Sequence, residues 1–183
     1  AIAGAFHPQA GDDAPPGVGT LVLVGGRGAA MWEAFFAGPE AADRKPHPMD
    51  RWSRRVLDGV AAELGARALY PFGGPPWMPF QRWAARGEGA HHSPVAMQVS
   101  AARGLWISYR GALGFVGRLP VTEPIRTNPC TGCPAPCLTA CPVDAFAGGR
   151  YDVPHCVAHI TGSAGATCRA GGCLVRHACP AGH

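Results

Sequence analysis

The sequence predicts an α/β domain, a small sheet with helices, over residues 1–127, followed by a loop-rich, mainly helical module over residues 128–183. Three observations predict this division. All eight cysteines lie between Cys130 and Cys179. The five tryptophans, in contrast, all precede residue 107. Short apolar runs that alternate with helical patterns occupy the first part, which is typical of α/β architecture.

Glycine and proline are frequent in the chain, at 26 and 19 of its 183 residues. Such a proportion borders on that of low-complexity sequences. Disorder is not predicted, however, because 47% of the residues are hydrophobic and only 15% are charged. That balance supplies enough apolar surface to offset the entropy of folding. We therefore expect a compact protein with many loops.

Charge and hydropathy exclude several functions. The formal net charge of +4 comes from scattered arginines rather than from a cluster, so no nucleic-acid surface is predicted. No apolar run approaches 18 residues, and no membrane span is predicted. The first residues show no charged segment followed by an apolar one, so we expect no export signal and a cytoplasmic location. The sequence carries no indication of oligomeric state.

The predicted sheet begins with residues 20–24, an apolar and largely β-branched run that a glycine pair ends. A helix is predicted over residues 29–37. Gly26 and Gly28 fit the start of a phosphate-binding turn. Met31, however, takes the third glycine position, which favours a plain tight turn over a cofactor-binding one.

A second helix is predicted over residues 51–64, with Asp50 as its cap and Gly65 as its end. Apolar residues at every fourth position predict its buried face: Trp52, Val56, Val60 and Leu64. Further strands are expected at residues 68–70 and 95–99, and residues 105–111 then lead into residues 112–115.

A proline-rich loop over residues 71–80 carries several aromatic side chains, and its prolines exclude regular structure. Trp77 on this loop is a candidate lining residue for a cofactor pocket, with a role in plugging the core as the alternative. Tyr109 and Arg110 are candidates for holding an anionic substrate group. No catalytic residue is identified.

The cysteines follow a close spacing: Cys130-x2-Cys133-x3-Cys137-x3-Cys141-Pro142, then Cys156, Cys168, Cys173 and Cys179-Pro180. Iron–sulfur clusters use closely spaced thiolates with a proline after the last cysteine of a run. Zinc sites prefer two CxxC pairs, and only one occurs here. Disulfides suit exported proteins. The spacing favours two clusters of four thiolates each, with zinc and disulfides as alternatives.

Each part of this pattern has a physical reason. Short spacers let three sulfurs reach one cluster from a single loop, and backbone amides that point at sulfur raise the reduction potential. A more distant fourth cysteine crosslinks the segment and replaces a hydrophobic core that is too thin for its size. Since eight cysteines already satisfy two clusters, three nearby histidines are expected to tune the potential rather than to ligate: His155, His159 and His177.

Residues 130–142, CTGCPAPCLTACP, resemble the double-cluster modules of ferredoxins. They are most similar to those of epoxyqueuosine reductases and related corrinoid-linked iron–sulfur reductases. Tyr151-Asp152-x3-Cys156 and the Gly172-Cys173…Ala178-Cys179-Pro180 terminus extend the resemblance. It implies a ferredoxin-like fold with two [4Fe-4S] clusters. By position, one cluster would be held by Cys130, Cys133, Cys137 and Cys179, and the other by Cys141, Cys156, Cys168 and Cys173.

The chain departs from the family pattern at two places. The gap between Cys133 and Cys137 has three residues rather than two, and the terminal trio of cysteines is more widely spaced. Residues 104–115 look like the stretch that precedes the clusters in the same reductases. There, the preceding domain binds a corrinoid, and the corresponding part of this chain is abbreviated.

The sequence as a whole predicts a cytoplasmic electron-transfer protein that exchanges electrons with a redox partner protein or reductase. The first alternative is a reductase in which the clusters feed electrons to a corrinoid or another cofactor in the front domain. The second alternative is a binding module stapled by zinc. An electron carrier is favoured over an enzyme with a substrate of its own.

Overall fold

The computed structural model describes residues 1–182 and has a mixed α/β fold with a small antiparallel sheet. The chain divides into two compact units. The first unit comprises Ala1–Glu88 and Ser108–Pro124, and the second comprises Gly89–Ile107 and the chain from Ile125 onward. The expected boundary after residue 127 lies near the last of three crossings between the units, and the segment Gly89–Ile107 belongs with the cysteines.

Regular elements are short. The strands are β1 (Ile2–Phe6), β2 (Thr20–Gly25), β3 (Arg67–Leu69), β4 (His91–His92), β5 (Gln98–Val99) and β6 (Tyr109–Phe115). The α-helices are α1 (Gly28–Phe36), α2 (Pro48–Leu64), α3 (Phe80–Gly87), α4 (Val153–Thr161), α5 (Ala166–Gly171) and α6 (Leu174–His177). Within residues 1–182, no helix has the length and apolar character needed to cross a bilayer.

The first unit is built on a four-stranded sheet of order β1-β2-β6-β3, in which every neighbouring pair is antiparallel. The predicted apolar run forms the central strand β2. Its Leu21 and Leu23 are completely buried, because they face the core that also contains Phe80 and Trp83 of α3. The indole Nε1 of Trp83 donates a hydrogen bond of 2.7 Å to the backbone oxygen of Asp12, which satisfies the buried donor.

Helix α2 differs from the prediction in its start and in its buried face. It begins at Pro48, whose fixed φ suits the first helical position, and Asp50 lies in the first turn rather than at the cap. Gly65 ends it in a left-handed conformation, as predicted. The predicted inward face is wrong by one position. The buried side chains are Ser53, Leu57 and Ala61, whereas Val56 and Leu64 are exposed.

Two elements of the first unit have no counterpart among the predictions. Strand β1 pairs with β2 at the edge of the sheet. Helix α3 follows the proline-rich loop, and its buried residues have helical spacing: Phe80, Trp83, Ala84 and Gly87. The prolines before it concealed this periodicity.

The strand expected over residues 95–99 is reduced to the two residues of β5, which pair with β4. Pro94 and the positive φ of Ala96, 56°, turn the chain before it. Within the stretch of residues 105–115, strand β6 starts at Tyr109 and continues to Phe115. Residues 105–107 belong instead to the second unit.

As far as residue 182, the second unit contains three short helices, single 3-10 turns and the β4–β5 hairpin. Its core joins apolar residues of the segment Gly89–Ile107 to the cysteine region. The buried members are Val95, Val99, Leu105, Cys137, Ala145, Phe146, Val175 and Cys179. Two of these eight core residues are therefore cysteines.

Candidate metal centre

Residues 130–138 form a compact loop that presents three cysteines. Gly132 has a φ of 73°, a conformation that glycine adopts without strain. Ala135 also has a positive φ, 54°, and its backbone N–H is directed at the Cys133 sulfur at 3.4 Å. The 3-10 turn Pro136–Leu138 then carries Cys137. The left-handed turn at Ala135 thus lies within the gap that is one residue longer than in the modules that the cysteine pattern resembles.

The first cysteine set, defined as Cys130, Cys133, Cys137 and Cys179, lines a single cavity. Fully buried Val99 and Leu105 contribute to its walls, and Cys137 and Cys179 are themselves buried. The cavity volume is ≈ 20 Å³, little more than one water molecule occupies.

The second cysteine set, defined as Cys141, Cys156, Cys168 and Cys173, lines another cavity. Cys156 lies on α4, Cys168 lies on α5, and Cys173 is the N-cap of α6. Helix α4 starts where the Asp152 carboxylate accepts a hydrogen bond of 3.0 Å from the backbone N–H of His155. The fourth member, Cys141, precedes a turn in which the backbone N–H of Ala145 points back at the Cys141 sulfur, at 3.3 Å.

The second cavity has a volume of ≈ 260 Å³ and is more polar in its lining than the first. Tyr151, His159 and Arg176 share it with the four cysteines. The His159 Nε2 lies 4.0 Å from the Cys168 sulfur. His155 is exposed, and His177 packs edge-on against Trp106 with 4.9 Å between ring centroids. Among the three histidines predicted to tune a cluster, His159 therefore lies beside a cysteine sulfur.

Burial changes the acidity of the site. It raises the pKa of the Cys130 and Cys137 thiols above the usual thiol value, and the neighbouring sulfurs of the same set add to the effect. The pKa of Tyr151 rises to about 12, first because its hydroxyl interacts with the Cys156 sulfur and then because of burial. Metal binding to the first set would therefore release protons.

The donor set of each cavity fits thiolate ligation of a four-iron cluster, since it offers four sulfurs and a backbone N–H directed at one of them. The eight cysteines fall into the same two groups of four that the family resemblance implies. Within residues 1–182, no three cysteine, histidine or carboxylate side chains stand close enough together to bind one metal ion. All eight cysteines are free thiols rather than disulfides.

The pocket candidates of the first unit do not lie together. The Tyr109 hydroxyl donates a hydrogen bond of 2.5 Å to Glu88. The Arg110 guanidinium instead binds the Asp50 carboxylate at 2.6 Å and the Ser53 hydroxyl at 3.0 Å. An anion at either residue would have to displace a carboxylate. Trp77 is exposed.

Arg110 nevertheless borders a cleft of ≈ 570 Å³ in the first unit. Helices α1 and α2 supply most of its apolar walls, which include Met31, Trp52 and Val56, and Arg27 adds a second cation. The volume lies within the range of small-molecule sites, about 300–1,000 Å³.

Sequence reasoning missed the residues that wall the first cysteine set. Val99, Gly104 and Leu105 precede the cysteines by 25 residues or more and carry no cluster motif. Arg176 was also missed, although it is basic and sits between the last two cysteines. Its Nη1 donates a hydrogen bond of 2.8 Å to the backbone oxygen of Leu105, which ties α6 to that segment.

No family model matches the chain, and no curated protein or solved structure is significantly similar to it. The resemblance to double-cluster modules therefore depends on the cysteine pattern.

Proposed function

We propose that this chain is an iron–sulfur protein with two [4Fe-4S] clusters that transfers electrons. One observation supports the proposal above the others. Eight cysteines, which are spread over 50 residues of sequence, surround two separate cavities in sets of four. Four thiolates around one volume is the ligand arrangement of a four-iron cluster.

When bound, such a cluster accepts and releases one electron without requiring a change in its ligands. The chain supplies the rest of the chemistry. The thiols lose their protons and become ligands, and the N–H groups of Ala135 and Ala145 stabilise the sulfur charge. The buried lining of the first set lowers the local polarity, which tunes the reduction potential.

The partner that this chemistry requires is a one-electron donor or acceptor, namely a redox partner protein or reductase. In this proposal the chain is an electron carrier and forms no bond itself, so it is not an enzyme with a substrate of its own.

The proposal is tested by electron paramagnetic resonance of protein purified without oxygen. Reduction with dithionite is expected to produce the signals of two reduced [4Fe-4S] clusters, and the oxidised protein should be silent and brown. A colourless protein that contains zinc and gives no signal would contradict the proposal and support a zinc-stapled binding module.

A second candidate function is a reductase in which the clusters supply electrons to a corrinoid or another organic cofactor in the first unit. The cleft of ≈ 570 Å³ beside Arg110 favours it. Titration of the holoprotein with cobalamin would then change the corrinoid spectrum, and Arg110→Met would weaken the change. Absence of binding heat and of a spectral change would count against a corrinoid.

A further inference from the structure

The two cysteine sets differ in burial. Cys137 and Cys179 of the first set retain only 7% and 8% exposure and its other two members are half-buried, whereas all four members of the second set are half-buried. The cavity of the second set is also the larger, at ≈ 260 Å³ against ≈ 20 Å³.

On the side of Cys179, the cavity of the first set is closed by a close contact between two chain segments. Gly104 has a positive φ, and a Cβ there would overlap the backbone oxygen of Ala181. Gly182 likewise leaves no space for a Cβ beside Arg103 and Gly104. The two backbones therefore approach each other directly over the side of the cavity that holds Cys179.

The side chains around the second set are more exposed to solvent. Helix α4, which carries Cys156, has no buried residue. Its Val153 and Val157 are 48% and 45% exposed. Tyr151 lines the cavity and stacks on Phe146 with 4.6 Å between ring centroids, but its side chain is 43% exposed.

Electron exchange with a reagent or protein in solution falls steeply with distance, so the less covered set exchanges first. We infer that electrons enter and leave this protein at the second cysteine set, with Tyr151 as a partial cover, while the first set holds the inner cluster. This inference rests on the proposed function. One electron leaves an external donor, such as a reduced flavin or iron–sulfur protein, is taken up at the second set and passes to the first, and no bond or proton changes.

The test uses the anaerobic holoprotein with its iron counted. Limiting ferricyanide removes one electron at a time and dismantles the cluster that it over-oxidises, with reduction to ferrocyanide. Iodoacetamide then alkylates the thiols that have been freed, and mass spectrometry of the peptides identifies them. When half of the iron has been lost, we expect severalfold more label on Cys156 and Cys168 than on Cys137 and Cys179.

Two variants test whether Tyr151 covers the second set. Tyr151→Ala should speed iron loss and labelling at the second set, because it removes the stacked ring from the cavity wall. Trp32→Ala is the matched control, since Trp32 has similar exposure, 49%, in the first unit, and the rates should equal those of the unaltered protein.

Equal labelling of both sets, or earlier labelling of the first, would overturn the inference. An unchanged labelling rate in Tyr151→Ala would show that Tyr151 does not cover the second set. Protein that contains no iron or sulfide after anaerobic purification would instead overturn the proposed function, and the iron count that precedes the oxidation separates the two failures.

Discussion

At the scale of single residues, backbone N–H groups near the cysteines point at cysteine sulfurs in both sets. Ala135 accepts a positive φ, 54°, although such a conformation costs an alanine about 1 kcal/mol. Its N–H reaches the Cys133 sulfur as a result. In the second set, the backbone N–H of Ala145 points at the Cys141 sulfur. In each set, at least one cysteine sulfur thus has a backbone N–H directed at it.

The grouping of the cysteines leads to a prediction about iron content. Cys137→Ala should lose the cluster of the first set and retain that of the second, so that iron falls from about eight to about four atoms per chain. Cys173→Ala should give the same count by losing the other cluster. Iron analysis and circular dichroism measure content and folding. Loss of all iron from either folded variant would contradict two independent sets.

Gly104 provides a second residue-scale prediction. Gly104→Ala combines a left-handed backbone with overlap of the Ala181 oxygen, and we expect it to destabilise the protein by about 1–3 kcal/mol. It should also open the first cysteine set to alkylation. Gly171→Ala is the control, because its Cβ meets no atom within 4 Å. A Gly104→Ala protein as stable as the control would contradict the described seal.

The family resemblance implied two sets of four cysteines, and each set lines one cavity, but the other residues of the cavity walls were not predicted. The cysteine pattern lies within 50 residues of sequence and can be recognised because thiolate ligation restricts the spacing. Contacts such as that between Gly104 and Ala181 join segments 77 residues apart, and no local pattern encodes them. Arg110 was identified, but its partner Asp50 was assigned to a helix cap.

At the scale of elements, the predicted strands and helix ends were correct where a local sequence pattern determines them. The predicted buried face of α2 was wrong because packing contacts determine which side chains face inward. Strand β2 and the end of α2 at Gly65 follow from an apolar run and a glycine. The buried face of α2 was displaced by one residue because Ser53 hydrogen-bonds Met49 and Arg110. A serine therefore takes an inward position that hydrophobic periodicity assigns to Trp52.

An ion pair between the 3-10 turn Pro39–Ala41 and α2 predicts a pH effect on stability. The Arg55 guanidinium donates hydrogen bonds to the Glu40 carboxylate at 2.6 and 2.9 Å, and these lower the pKa of Glu40. Because the folded pKa lies below the unfolded value of about 4.3–4.5, the stabilisation is present above that range. It is lost as the pH falls through the folded pKa.

Glu40→Gln should therefore lower the melting temperature near neutral pH, and its difference from the unaltered protein should shrink below about pH 4. Asp13→Asn serves as the control, since the Arg82–Asp13 pair is exposed on both sides and should contribute little. Thermal melts at several pH values measure both. A difference for Glu40→Gln that does not vary with pH would contradict the role of the ion pair.

At the scale of the whole molecule, the chain crosses between two compact units three times. A division by composition placed one boundary near residue 127, because only the cysteines mark the second unit in sequence. The segment Gly89–Ile107 joins that unit through Val95, Val99 and Leu105, which are ordinary apolar residues. Composition could not assign them.

Two of the eight buried core residues of the second unit are cysteines, so clusters bound as proposed would contribute to its order. Removal of iron with a chelator and reductant is expected to increase hydrogen exchange at α4, α5 and α6. Exchange in β2 and β6 of the first unit should change little. Equal exchange by the holoprotein and the iron-free protein at those helices would contradict this dependence.

The central claim is that two sets of four cysteines each hold a four-iron cluster. The most direct measurement is the iron, acid-labile sulfide and zinc content of protein purified without oxygen. The account predicts about eight iron and eight sulfide per chain, with no zinc. Stoichiometric zinc, or iron without sulfide, would contradict it.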